Sequence, residues 1–166
     1  MRRNILNFCR FLLYPKHRVD ETCLKRRFKE QWVVITGASR GIGSALARRL
    51  MRAGANLYLI ARSETELRTL CDEAQALGIR AVCRALDLRD RSALKSLCHD
   101  LKQLPTVDYL FCNAGKSICR KLADATDRLH DFDRTMDLNY RSVVALALAL
   151  LPALQRVGGK LVYTSS

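Results

Sequence analysis

From Trp32 onward the chain switches repeatedly between two hydrophobic patterns. WVVIT, Trp32 to Thr36, is a short unbroken apolar run bounded by Gly37, and in the following IGSALARRLMRAG the residues Ile42, Leu46, Leu50 and Ala53 recur at helical spacing. NLYLI, residues 56–60, predicts a second strand ahead of SETELRTLCDEAQALG, where Ser63 and Glu66 read as a capping box and Gly78 as the stop. RAVCRALDL, residues 80–88, predicts a third strand, and DRSALKSLCHDLKQL a third helix ended by Pro105. VDYLFCNAG, 107–115, is a fourth strand, residues 131–157 form a long helix, and KLVYTS, 160–165, follows the Gly158–Gly159 turn as a fifth strand.

Strands alternating with helices of ten or more residues specify a fold class. Parallel strands need crossovers, crossovers are right-handed, and the helices cover both faces of the sheet. The expectation is a doubly wound α/β domain with five parallel strands over 31–166, behind an extension of residues 1–30. Ligands of such sheets bind beyond the carboxyl ends of the strands. The stretch VVALALALLPAL, 143–154, is apolar nearly all round, so its helix, placed at 131–156, calls for burial on more than one side.

Composition changes this picture only at the margins. With 49% hydrophobic and 27% charged residues in 166, disordered and fibrous classes are excluded. Seven cysteines, at 9, 23, 71, 83, 98, 112 and 119, contain no C-x-x-C pair; they read as free buried thiols of a reducing, cytoplasmic compartment, with no metal site. Residues 1–30 hold nine Lys and Arg against three Asp and Glu, so +6 of the net +13 lies there. The apolar part of that extension, ILNFCRFLLY, is broken by Asn7 and Arg10 and is too short for a membrane span or a signal peptide. Two readings stay open: an arm packed on the domain or loosely ordered, and a basic amphipathic segment in peripheral contact with a membrane. Nucleic-acid binding finds no support, because the basic residues are not interleaved with aromatics.

The chemistry is expected at the strand ends. TGASRGIG, Thr36 to Gly43, joins the first strand to the first helix. Gly37, Gly41 and Gly43 permit left-handed backbone and close approach, while the helix N-terminus supplies free N–H groups for a diphosphate. Placed after a strand and opening a helix, this G-x-x-x-G-x-G arrangement resembles the nucleotide loop of the short-chain dehydrogenase/reductase family. Further landmarks follow in order over 31–166. Asp87 and Leu88 in LDL resemble the pair that lies against the adenine ring; Asn113, Ala114 and Gly115 resemble the family's Asn-Asn-Ala-Gly with Cys112 in place of the first Asn; Asn139 in DLNY matches a helix asparagine that holds an active-site water and a backbone kink. Each also has a plainer reading: Asp87 as a helix cap, Asn113 as a turn residue, Asn139 as a helix-surface residue.

The resemblance implies a Rossmann-like fold, the N-terminal nucleotide-binding part of the family, and an oxidoreductase moving a hydride between a nicotinamide cofactor and a carbonyl or alcohol. Cofactor residues are expected at Gly37, Ser39, Arg40, Gly41, Ile42, Gly43, Arg62, Ser63, Asp87, Leu88 and Asn113–Gly115. Charge argues for NADP(H) over NAD(H): after the second strand come Ala61, Arg62 and Ser63, with no carboxylate competing, and Arg40 with Arg62 can clamp a 2′-phosphate. Ser166 aligns with the family's catalytic serine and Asn139 with its helix asparagine. The tyrosine and lysine that follow in the family, as Tyr-x-x-x-Lys, have no counterpart; Tyr14 and Tyr58 are each followed four residues on by Arg. The expectation is therefore a chain truncated after the fifth strand, and the rival reading is a dinucleotide-binding module without turnover. By resemblance the long helix lies at a homo-oligomer interface. Residues 116–140 are similar to a branch acting on long-chain acyl or keto-lipid substrates, whereas their own composition, His130 included, reads as a helix start and a solvated face.

Overall fold

Alternation of side chains within each strand decides how the sheet is covered. In the computed structural model, which describes residues 20–164 with the exception of the Leu122 side chain, five strands lie parallel in the order β3-β2-β1-β4-β5. They are β1 (Trp32–Thr36), β2 (Asn56–Ala61), β3 (Ala81–Ala85), β4 (Tyr109–Cys112) and β5 (Lys160–Tyr163). Val33, Ile35, Leu57 and Leu59 face one layer, formed by helices α2 (Gly41–Arg52) and α3 (Glu64–Ala76). Val34, Tyr58, Ile60 and Leu110 face the other, formed by α4 (Arg91–Lys102) and α6 (Ser142–Val157). All six residues of β2 are buried, as a strand covered on both faces requires.

The extension contributes one further element. Helix α1 (Glu21–Phe28) starts at Asp20, whose carboxylate accepts from the Thr22 N–H, and anchors through Phe28, which meets the Tyr109 ring at 4.8 Å between centroids. Residues 1–19, and with them Cys9 and the apolar stretch considered for membrane contact, lie outside the described residues, as do Ser165 and Ser166.

Several expectations need correction. The third and fourth strands end at Ala85 and Cys112, short of their apolar runs; the Leu86 N–H still donates to the Ala61 carbonyl, and Asp87–Leu88 and Asn113–Gly115 follow outside the strands. Ser63 is the N-cap of α3, yet its side chain accepts no capping hydrogen bond; Glu66 is engaged elsewhere. The long helix is two helices, α5 (Leu129–Met136) and α6, joined by a π-helical turn at Asp137–Arg141. Cys71 and Cys83 are not free thiols. Helix α3 packs on edge strand β3 and brings their Cα atoms to 6.6 Å, where they form a disulfide. Of the other cysteines described, Cys112 alone is buried, Cys98 is half-buried, and Cys23 and Cys119 are exposed.

The segment Leu129–Val157 is long and apolar enough to cross a membrane by length and composition, but Leu146, Leu150 and Leu154 are buried in the core layer shared with α4. The opposite face of α6 presents Val144, Leu148 and Leu151 to solvent. β5 is an edge strand with every residue exposed.

Candidate functional site

The strand order reverses between β1 and β4. β1 continues to β2 and β3 on one side of the sheet, while the chain returns to β4 and β5 on the other, which opens a crevice at their carboxyl ends. Thr36 closes the floor of that crevice. Its buried Oγ1 accepts from the N–H groups of Asn113 (3.0 Å) and Ala114 (2.9 Å), tying the end of β1 to the loop after β4. Thr36→Val removes this acceptor while keeping shape, and is expected to destabilise the chain by about 2 kcal/mol in urea unfolding, whereas Thr36→Ser retains most of the stability. Thr36 was not anticipated as a site residue; its place directly before the glycine loop was the available signal.

Three glycines shape the loop for different reasons. Gly37 has φ +66°, and a Cβ there would stand 2.9 Å from the Ala114 Cα. Gly41, φ +54°, opens α2 with nothing near its Cβ position. Gly43 is the tightest: a Cβ would fall 2.2 Å from the Gly37 carbonyl oxygen and 2.7 Å from Asn113 Nδ2. Asn113 Nδ2 in turn lies 3.4 Å from the same carbonyl, to which it donates. The loop is thus pressed against the β4 end with no room for a side chain at 37 or 43, leaving the N-terminus of α2 directed at the crevice.

The resulting cleft has a volume of about 310 Å³. Gly37, Ser39 and Arg40 line it from the first loop, Arg62 from the end of β2, Asp87 and Leu88 from the end of β3, and Asn113, Ala114 and Gly115 from the end of β4. Four expected residues are not on its wall. Gly41 and Gly43 act through backbone shape, Ile42 is 68% exposed at the start of α2, and Ser63 sits at the start of α3. Ala61, Leu86, Arg89, Lys116 and Leu138 complete the lining and were not anticipated, being ordinary residues next to the recognisable ones.

Charges in the cleft are more engaged than expected. Arg89 grips the Asp87 carboxylate through Nε and Nη2, and its own N–H also donates to Asp87. That guanidinium is the main reason the Asp87 carboxyl lies below the usual carboxylate range, so the group is ionised at neutral pH. Asp87 does not cap α4; Asp90 does, accepting from the N–H groups of Ser92 and Ala93. No carboxylate stands at 61–63, but one reaches the clamp from α3: Glu66 Oε1 accepts from Arg40 Nη2 at 2.8 Å. Cys112, standing where the family pattern has Asn, is buried, and burial pushes its thiol up to about 11, so it remains protonated and inert.

Asn139 lies inside the π-helical turn, where the extra backbone residue rotates it toward the loop after β4. Its Oδ1 accepts from the Lys116 N–H (3.0 Å) and its Nδ2 donates to the Lys116 carbonyl (2.9 Å), a reciprocal pair that pins this loop. The Asn139 carbonyl accepts from the Tyr163 hydroxyl at 3.3 Å. Ser166 lies outside the described residues.

A second cavity of about 420 Å³ opens beyond Lys116 and Asn139, with Ile118, Phe132 and Met136 as apolar wall and Arg120 at its side. The segment is largely exposed, as a solvated face requires, with Phe132 at 51% and Met136 at 53%, and part of that face lines this open cavity. His130 stays outside the lining, half-exposed and 3.4 Å from Asp131. Among the described residues no group of three or more His, Cys, Asp or Glu is placed to hold a metal ion.

A family model described as short chain dehydrogenase matches residues 31–166. A fatty acyl-CoA reductase of Acinetobacter baylyi is 38% identical over 148 residues, covering 88% of this chain and 50% of that protein. Among solved structures, an alcohol dehydrogenase from Thermococcus sibiricus complexed with 5-hydroxy-NADP superposes with TM-score 0.75 at 32% identity, over 83% of this chain and 59% of the other. The L-sorbose reductase of Gluconobacter frateurii, complexed with NADPH and L-sorbose, gives TM-score 0.75 at 25% identity, over 84% and 53%. The chain spans about half the length of the curated relatives it matches.

Proposed function

The chain belongs to the short chain dehydrogenase family, and on that premise we propose that the protein is an oxidoreductase working between NADPH and a carbonyl or alcohol substrate with a long apolar chain. The observation that carries this reading is the cleft at the β1/β4 reversal. Its loop, too tight for a Cβ at Gly37 or Gly43, brings backbone N–H groups and a helix N-terminus to one spot, as a diphosphate demands. Residues Gly37, Ser39, Gly41, Ile42 and Gly43 would hold the diphosphate, Arg40, Arg62 and Ser63 the phosphorylated ribose, Asp87 and Leu88 the adenine, and Asn113–Gly115 the opposite wall. The cofactor, when bound, supplies the hydride.

The chain's own residues prepare the reacting end. Asn139 fixes the Lys116 backbone between the two cavities, and the proposal gives it and Ser166 the catalytic positions of the family. The second cavity combines apolar Ile118, Phe132 and Met136 with the cations Lys116 and Arg120, which suits an amphipathic lipid carbonyl. The named activity of the Acinetobacter relative, on fatty acyl-CoA, supports the same substrate class. Self-association is supported by the exposed Val144, Leu148 and Leu151, and peripheral membrane contact by the +6 charge of residues 1–30.

A second reading, a dinucleotide-binding module without turnover, describes what residues 1–166 supply by themselves, since no tyrosine among them has a lysine four positions on. General acid catalysis is worth about two to four orders of magnitude. Nicotinamide fluorescence followed during titration with NADPH and NADH tests binding, and nicotinamide absorbance after adding a long-chain aldehyde tests turnover. Saturable binding that favours NADPH, with aldehyde-dependent oxidation, is the outcome proposed; binding without oxidation selects the second reading, and no saturable binding contradicts both.

A further inference from the structure

At the selectivity end of the cleft, lined by the Arg40 and Arg62 guanidinium groups, a carboxylate from outside the lining pairs with Arg40. Arg40 precedes α2 and is 78% exposed at its side chain. Both its Nε (3.3 Å) and its Nη2 (2.8 Å) donate to a single oxygen of Glu66, Oε1. Glu66 stands in the first turn of α3, immediately after Arg62 and Ser63 leave the end of β2, so the sheet topology itself delivers it to the place where a 2′-phosphate would be recognised. Arg40 holds the Glu66 carboxyl below the usual carboxylate range, and the group is ionised at neutral pH. The other acid near the cleft, Asp87, is committed to Arg89, while Arg62 forms no salt bridge among the described residues.

We infer that Glu66 is a specificity-determining residue of the cofactor site, one that weakens the preference for a 2′-phosphate by occupying Arg40 and repelling the incoming dianion. The inference rests on the proposal that this cleft takes a nicotinamide dinucleotide with its adenosine ribose at Arg40 and Arg62. Two roles compete for Glu66. As a positioning group it would hold Arg40 ready and strengthen phosphate binding; as a competitor it would weaken it. Exposed ion pairs are held loosely and exchange readily, so little orientation is gained from this one. A phosphate monoester with a charge near −2 that meets Arg40 is repelled by the carboxylate sharing that guanidinium, and must compete with it for the same donors. The competitor role therefore dominates.

The test is the pair of dissociation constants for NADPH and NADH, measured by titration of the wild-type chain and of Glu66→Gln at low and at high salt. Glu66→Gln keeps the side-chain size and an acceptor for Arg40 at an exposed position. It is expected to tighten NADPH binding by about threefold to fivefold at low salt, to leave NADH binding unchanged, and to lose most of the gain at high salt. Weaker or unchanged NADPH binding, or an equal gain for NADH, overturns the inference. If the wild type shows no preference and Glu66→Gln acquires one, the inference stands and the proposed wild-type preference falls. If neither chain distinguishes the two cofactors, both fail.

Discussion

Gly43→Ala is expected to abolish dinucleotide binding and to lower the unfolding free energy by about 3 kcal/mol, the upper end for inserting a single carbon into a packed site. The reason is a backbone neighbour that cannot give way. A Cβ at 43 would stand 2.2 Å from the Gly37 carbonyl oxygen, a backbone atom, and 2.7 Å from an Asn113 amide. Relief requires the loop to lift away from the β4 end, which breaks the contact between Asn113 and Gly37 and disturbs the two N–H bonds to Thr36 beneath. Gly41→Ala supplies a contrast. That site has open space but a left-handed φ of +54°, so only local strain of about 1 kcal/mol is expected. Urea unfolding and NADPH titration of both variants check the order; a Gly43→Ala chain that binds like wild type would refute the tight-loop account.

The Arg40→Ala, Arg62→Ala double variant is expected to lose about thirtyfold in NADPH affinity while holding NADH to within about threefold of wild type. Charge-assisted bonds to a phosphate are worth about 2 kcal/mol each when shielded, but both guanidinium groups are exposed, so about 1 kcal/mol apiece is the appropriate figure, and the two together give the stated factor. Glu66 reduces it further in the wild type, so the change should be larger when measured in a Glu66→Gln background. Parallel loss of NADH affinity would show that the arginines act on the diphosphate instead.

The sheet could be read from the chain because each strand carries its own signal. WVVIT and NLYLI are apolar on both faces, and the glycine loop between the first strand and helix marks the reversal point. Features that depend on distant partners could not be read. Ser63 and Glu66 have the spacing of a capping box, but Arg40, from a different connection, takes the carboxylate. Cys71 and Cys83 show no short motif, and only the packing of α3 on β3 brings them together. The π-helical turn at 137–141 adds one residue to a helical repeat, too small a change to disturb the pattern of apolar positions, so that the family resemblance alone implied a kink at Asn139, the residue this turn brings to Lys116. Helix α1 went unread because its charge, rather than Leu24 and Phe28, dominates the extension, although those two carry it onto the core.

Hydrogen exchange of backbone amides with and without saturating NADPH bears most directly on the site. Protection is predicted at residues 37–43, with smaller effects at 61–63, 86–88 and 113–116, and none along the outer face of α6. Saturable binding that leaves the amides of the first loop exchanging at their ligand-free rate would contradict the assignment of this cleft.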